Sequence, residues 1–221
     1  LVPGSIASHL GEQTVKNYLT YIGVDQLHRL ATCTSICFDC ETLQLRPEFG
    51  KLRLLQLGST ARKTIVVIDL FETDEDGFRT IDNFFRGPDR FWMAHNAIFD
   101  LGWLRAYGWH PQGQVRDSML ASKLLKNGHS QLRHGLAHVA KRVLDIDLDK
   151  TEQASDWGGQ LTRSQIEYAA KDVEVLCELD NPIHQEVAKN RLGAAYSLEC
   201  RTLPALLSLI HISEPTRPLA I

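Results

Sequence analysis

No uninterrupted apolar run in this sequence approaches the roughly 18 residues that a membrane-spanning helix needs. A chain that crosses a bilayer as a helix is therefore not expected. No secretory leader pattern is visible, which makes the cytoplasm the expected location. Positive charge is not in excess: 24 Lys and Arg stand against 27 Asp and Glu, a formal net charge of −3. That balance argues against a broadly basic coat for nucleic acid. It leaves room for a local basic groove, because an acidic cluster that is neutralised by bound cations biases the total. The five cysteines are an odd number and lack the spacing of a secreted disulfide framework. Cys37 and Cys40 form a Cys-x-x-Cys pair, but positions three apart on a strand face opposite ways. They are expected to be reduced packing residues rather than joint ligands of one ion. The chain does not begin with methionine, so its natural start is expected to lie upstream.

What is present suits one ordinary domain: 221 residues, 43% of them hydrophobic, are enough to bury a core. Residues 1–13 are polar and Gly/Ser-containing, and are expected to be disordered or tag-like. Strands are expected at Asn17–Ile22, at Ile36–Phe38 leading into Asp39, and at Leu52–Leu57, Thr64–Leu70 and Phe91–Ala94. The spacing of the middle three suggests an antiparallel meander. Asp25 is read as capping a short helix through Leu30, and the acidic run Glu72–Asp76 as a solvated loop before a helix over Thr80–Phe85. Further helices are expected over Asn96–Leu104, over Ser118–Lys126 behind an Asp117 cap, and over Gln131–Leu144. In the last, Leu132, Leu136, Val139 and Val143 form the apolar stripe, while His134 and His138 fall on its exposed side. Thr162-Arg163-Ser164-Gln165 reads as a capping box, and a final helix is expected from Pro182 to Leu206. From about Leu207 to residue 221 the sequence matches one reading frame of a transposase-type sequencing adapter. That stretch is expected to be read-through, the natural protein continuing differently.

The chemistry begins at Asp39-x-Glu41. On a strand these two carboxylates project from one face, where they repel unless a cation sits between them. Carboxylate oxygens are what Mg²⁺ or Mn²⁺ prefers. Alone, such a pair reads as a strand running into a solvated acidic turn. Asn96-x-x-x-Asp100 likewise reads alone as a helix cap with a solvated first-turn acid, and Tyr168-x-x-x-Asp172 as a core Tyr beside a surface Asp.

Taken in order, these three motifs resemble those of the DEDD superfamily of 3′–5′ exonucleases, in the subgroup with Tyr in the third motif. The likeness spans nearly all of residues 14–206, which are expected to form the exonuclease domain. It implies an α/β, ribonuclease H-like fold, a mixed five-stranded sheet flanked by helices. It also implies that Asp39, Glu41, Asp100 and Asp172 hold two divalent cations, Mg²⁺ or Mn²⁺, roughly 3.5–4 Å apart. Tyr168 would orient the attacking water, and 5′-mononucleotides would leave. Thr42 and Leu45 would contact the terminal nucleotide and Asn96 its phosphate. Cys40 departs from the Thr usual in the family and is expected to point away from the metals. Arg53, Arg105, Arg133 and Lys171 are candidates for backbone phosphates. The expected partner is a single-stranded 3′ end, DNA favoured over RNA. The segment Ala194–Leu206 resembles the junction where a family A DNA polymerase begins, so a C-terminal polymerase domain is expected to follow. Ribonuclease D-type enzymes are a second match, through Lys150–Trp157. A catalytically inactive nucleic-acid-binding module is a third reading, and the retention of all four acids with Tyr168 speaks against it.

Overall fold

The computed structural model describes residues 13–15, 18–129, 131–149 and 151–212. The stretches 1–12 and 213–221 lie outside them, with most of the expected tag-like start and much of the expected adapter segment; so do Asn17 and Lys150.

Among the described residues seven strands form one sheet: β1 (Gln13–Val15), β2 (Tyr18–Ile22), β3 (Ser35–Thr42), β4 (Leu52–Ser59), β5 (Thr64–Asp69), β6 (Arg90–Ala94) and β7 (Gly113–Asp117), in the order β1-β2-β5-β4-β3-β6-β7. The meander β3–β4–β5 is antiparallel, and β6 and β7 add in parallel beside β3. Those five are the mixed ribonuclease H-like sheet that the motifs implied. The β1–β2 hairpin widens it, with β2 parallel to β5. Strand β7 escapes a reading of the sequence because Gly113-Gln114-Val115-Arg116-Asp117 is a polar edge segment with no buried apolar alternation.

Among the described residues six α-helices cover the sheet: α1 (Glu75–Phe85), α2 (Ala97–Ala106), α3 (Ser118–Leu125), α4 (Leu136–Leu144), α5 (Arg163–Lys189) and α6 (Gly193–Ile212). Strand alternation divides the core. Ile36, Phe38 and Cys40 point to one face, where Phe85, Trp92, Trp103 and Trp109 pack beneath α1 and α2. Cys37 points to the other, where α5 lays Ile166, Ala169, Ala170, Val173 and Leu176 on Leu54, Ile65 and Met93. All five cysteines are free and buried, and Cys37 and Cys40 fall in opposite layers, as the strand period required. Helix α5 lies close on the sheet at Gly58, where a Cβ would come within 2.6 Å of Val173 Cγ1.

Several local expectations are corrected. The acidic run is only in part a loop: Asp74 accepts from the Gly77 N–H and caps α1, which starts five residues before Thr80. Asp25 is not a cap, since Gly23 stands at the N-cap of the Val24–Leu30 3₁₀ helix and Asp25 lies in its first turn. Helix α4 begins only after Gly135. The residues before it form a loop held by Arg142, which donates to the Arg133 carbonyl. Leu132 is consequently exposed, and His134 and His138 are half-buried, with His134 Nδ1 on the Ser122 hydroxyl. Helix α5 runs through Pro182 because Leu179, Ile183 and Val187 continue its buried stripe. The chain breaks at Asn190–Leu192, where Arg191 takes φ 58°, before α6 starts. Helix α6 continues unbroken past Leu207, which is buried against the α2 layer. Among the described residues no helix is long and apolar enough to cross a membrane.

Candidate functional site

Asp39 and Glu41 lie at the C-terminal end of β3, next to an irregularity in its register with β4 at Glu41/Thr42. Both face α5, because they share the parity of Cys37. Helix α5 presents Asp172 toward them, and one carboxylate oxygen from each of the three lies within 4.8 Å of the others. Burial, reinforced by the Asp172 charge, pushes Asp39 up to about 8. Burial and the neighbouring Asp39, Asp172 and Asp100 charges push Glu41 up to about 10. Three acids this close, with no nitrogen or sulfur in the set, fit a hard divalent cation, which would relieve the repulsion that raises them.

Asp100 stands outside that trio. It is 1% exposed, not the solvated acid that its place in the first turn of α2 suggests. Helix α2 packs on the other sheet face, so Asp100 approaches the strand end from the Cys40 side and accepts a hydrogen bond from the Cys40 thiol. Cys40 does leave the Asp39/Glu41 face, yet it touches a proposed ligand. Burial and the charge of Asp39 hold Asp100 well above the usual carboxylate range, and its Oδ1 has no partner among the described residues. All four acids therefore meet at one end of β3, three on the α5 face and one around the strand's edge.

Asn96 precedes α2 in a left-handed conformation, φ 63°, and its side chain does not cap the helix. The cap comes from afar: Asp117 accepts the backbone N–H groups of Asn96 and Ala97, and those of Met119 and Leu120 that open α3. One carboxylate at the end of β7 thus fixes two helix starts. Beside it His95 bonds Ser118 at 2.8 Å, and burial pushes its imidazole down to about 4, keeping it neutral.

Tyr168, one turn before Asp172, donates its hydroxyl to that carboxylate. Burial and then the Asp172 and Glu41 charges push the phenol upward, so it stays protonated. Its ring is held at 6.4 Å from the buried Trp157. The Thr162 capping box is formed, and its Gln165 Nε2 also bonds the Ser155 hydroxyl and the Asp156 carbonyl, strapping the Trp157 segment to the start of α5. The Asp-Trp pair just upstream of the capping box is the sequence signal that could have found this support. The Thr42 hydroxyl donates to the Gln44 carbonyl, and Leu45 stands 83% exposed in the β3–β4 loop.

Of the candidate phosphate contacts, Arg53 is excluded, being buried in an ion pair with Asp69 at 2.8 Å. Lys171 is held by Glu174, and Arg105 turns to Ser208 of α6; Arg133 stays exposed on its loop. A cavity of about 580 Å³ opens elsewhere, between α2, β7, α5 and α6, and none of the four acids lines it.

Residues 24–188 match the family model described as 3′-5′ exonuclease. The chain is 37% identical over 186 residues to DNA polymerase I of Aquifex aeolicus, covering 78% of this chain and 29% of the polymerase. It thus spans under a third of the length of that relative. Brucella melitensis NrnC bound to pGG aligns with 26% identity and a TM-score of 0.69, over 91% of this chain and 96% of that one. Escherichia coli RNase D shares the fold at 24% identity and a TM-score of 0.72, over 86% of this chain and 50% of that one. Clustered carboxylates on a ribonuclease H-like sheet and the match across most of the domain lead to one conclusion: the chain belongs to the 3′–5′ exonucleases of the DEDD type.

Proposed function

We propose that the protein removes nucleotides singly from the 3′ end of single-stranded nucleic acid by two-metal hydrolysis, and that it is the proofreading domain of a family A DNA polymerase. The observation that carries this is the convergence of Asp39, Glu41 and Asp172 beside Tyr168, with Asp100 adjoining. Asp39, Glu41, Asp100 and Asp172 would hold the cations, Mg²⁺ or Mn²⁺. Bound there, they supply charge stabilisation of the phosphodiester and acidification of water. Tyr168, protonated and pinned by Trp157, positions the attacking water rather than deprotonating it. Leu45 meets the terminal base, with Thr42 beside it, and Asn96 lies near the phosphate. Three half-buried carboxylates within 4.8 Å of one another disfavour a phosphate until metal neutralises the site.

The polymerase reading is supported by the 37% identity to DNA polymerase I over most of this chain. A ribonuclease D-type role has its own support, 44% identity to Pseudomonas paraeruginosa ribonuclease D over 64 residues, 28% of this chain and 16% of that enzyme. Matched single-stranded DNA and RNA, labelled near the 5′ end and compared at fixed salt, separate the two. We expect DNA to be shortened at least about tenfold more efficiently, a difference of ~1.4 kcal/mol. Equal or faster loss of RNA would move the assignment to the ribonuclease. No shortening of either with Mg²⁺ or Mn²⁺ would leave only an inactive binding module.

A further inference from the structure

We infer that Phe49 is a stacking platform for a nucleobase upstream of the terminal one. This rests on the nuclease reading above. Leu45 and Phe49, 83% and 75% exposed, are the two most exposed large hydrophobic residues among those described, and both lie on the loop from Thr42 to Leu52. The loop is closed rather than slack. Leu43 N–H donates to the Lys51 carbonyl, Phe49 N–H to the Arg46 carbonyl, and Gly50 lies so close to Gln44 that a Cβ would come within 2.6 Å of Gln44 Cβ. Such a neck could have turned its apolar side chains inward. Leaving an aromatic ring in water forfeits its transfer free energy, so an exposed ring on a closed loop suits a partner that covers it.

Location and charge select the partner. The loop continues directly from Glu41, at the strand end that carries the acids, so whatever enters the site passes it. Bases are the part of a single strand that stacks on aromatic rings without regard to sequence. The loop carries two cations, Arg46 and Lys51, against one acid, Glu48, with the Lys51 ammonium over the Phe71 ring, so it is net positive where the site itself is acidic. Leu45 at the terminal base and Phe49 at the next would give the enzyme grip on a strand that ribose and phosphate alone do not provide.

The test compares wild type with Phe49→Ala and Phe49→Trp on DNA of increasing length and on the same strand with an abasic site at each position. Phe49→Ala is expected to raise KM about 5- to 150-fold with kcat nearly unchanged, and Phe49→Trp to restore it. An abasic site at one upstream position should cost wild type the same factor and cost Phe49→Ala nothing more. Unchanged KM in Phe49→Ala, with wild type active, overturns the inference alone. So does a change in sedimentation of Phe49→Ala with normal KM, because a second copy would then be what covers the ring. An inactive wild type would instead sink the nuclease reading.

We also infer, from a separate observation, that Gln56 is a positioning residue for Asp39. The two are cross-strand partners in the β3–β4 register, which sets their Cβ atoms about 4.5–5.5 Å apart on one face. Gln56 is 0% exposed, and neither its Nε2 nor its Oε1 has a hydrogen-bond partner among the described residues. Buried amides without partners are rare, and an apolar residue of the same size would cost less. Beside a proposed ligand, the free amide is near enough for its N–H to turn to the carboxylate once a cation holds it. Gln56→Met and Gln56→Leu are expected to weaken Mn²⁺ affinity about 10- to 100-fold while the thermal midpoint stays equal or rises. Unchanged affinity in both overturns this, and so does a loss that merely tracks a lower midpoint, since packing would then explain it.

Discussion

Asp39→Asn is expected to lose about 10⁴-fold in nucleotide release, the scale on which removal of a catalytic group acts, and at the same time to make the metal-free protein more stable. The two effects share one cause. Asp39 faces Glu41 and Asp172 within 4.8 Å, and burial and the Asp172 charge raise it to about 8. A carboxyl raised on folding binds its proton in the native state at pH values where the unfolded chain has lost it. Stability contributed by such a group therefore falls as pH rises from the unfolded value near 4 toward 8, and stays low above. Asparagine keeps the shape and removes the charge. The gain in midpoint should grow from about pH 5 to about pH 9, reaching roughly 4–8 °C for each kcal/mol relieved in a domain of about 100 residues and less in one of this length. Tyr168→Phe provides the contrast, since it removes a positioning hydroxyl and no ligand; a loss of about 10²-fold is expected. Near-normal activity in Asp39→Asn, measured on a 3′-labelled strand, would show that the ligands are misassigned. An unchanged rate in Tyr168→Phe would remove its role.

Withdrawal of divalent cations is expected to abolish activity completely, and the protein's affinity for them should depend steeply on pH. Near pH 7 both Asp39, at about 8, and Glu41, at about 10, hold protons in the metal-free state. A cation must displace them, so its apparent affinity rises with pH by about tenfold per unit for each proton released, until the carboxyls have ionised. The metal-free protein should conversely lose stability over the same range, and added Mn²⁺ should restore it. An affinity flat between about pH 6 and about pH 8 would mean that the acids are ionised without metal, and that their repulsion is relieved in some other way.

The residues differ in how far their roles can be read from the chain alone. Asp39 and Glu41 are legible because the strand beneath them is: Ile36 and Phe38 fix one face, and the carboxylates must take the other. Tyr168 and Asp172 follow from the capping box at Thr162 and the stripe Ile166, Ala169, Val173. Asp100 is different. Locally it is a first-turn acid like many solvated ones, and only the seating of α2 against the far sheet face buries it beside Cys40. Asp117 and Gln165 look like ordinary caps in sequence, and each does more through partners 20 and 10 residues away. Where the helical stripe was extended to Leu132, the period was right but Gly135 and the Arg142 clamp on the loop decide the boundary. At Pro182 the reverse holds, buried Ile183 and Val187 carrying the helix past a residue that removes one hydrogen bond.

Calorimetric titration of the metal-free protein with Mn²⁺ near pH 7, repeated in buffers of different ionisation enthalpy, tests most directly whether the four acids form one cation site. Two ions per chain with release of protons are predicted, falling to one ion in Asp100→Asn. Binding of a single ion without proton release, or a stoichiometry that Asp100→Asn leaves unchanged, would contradict it.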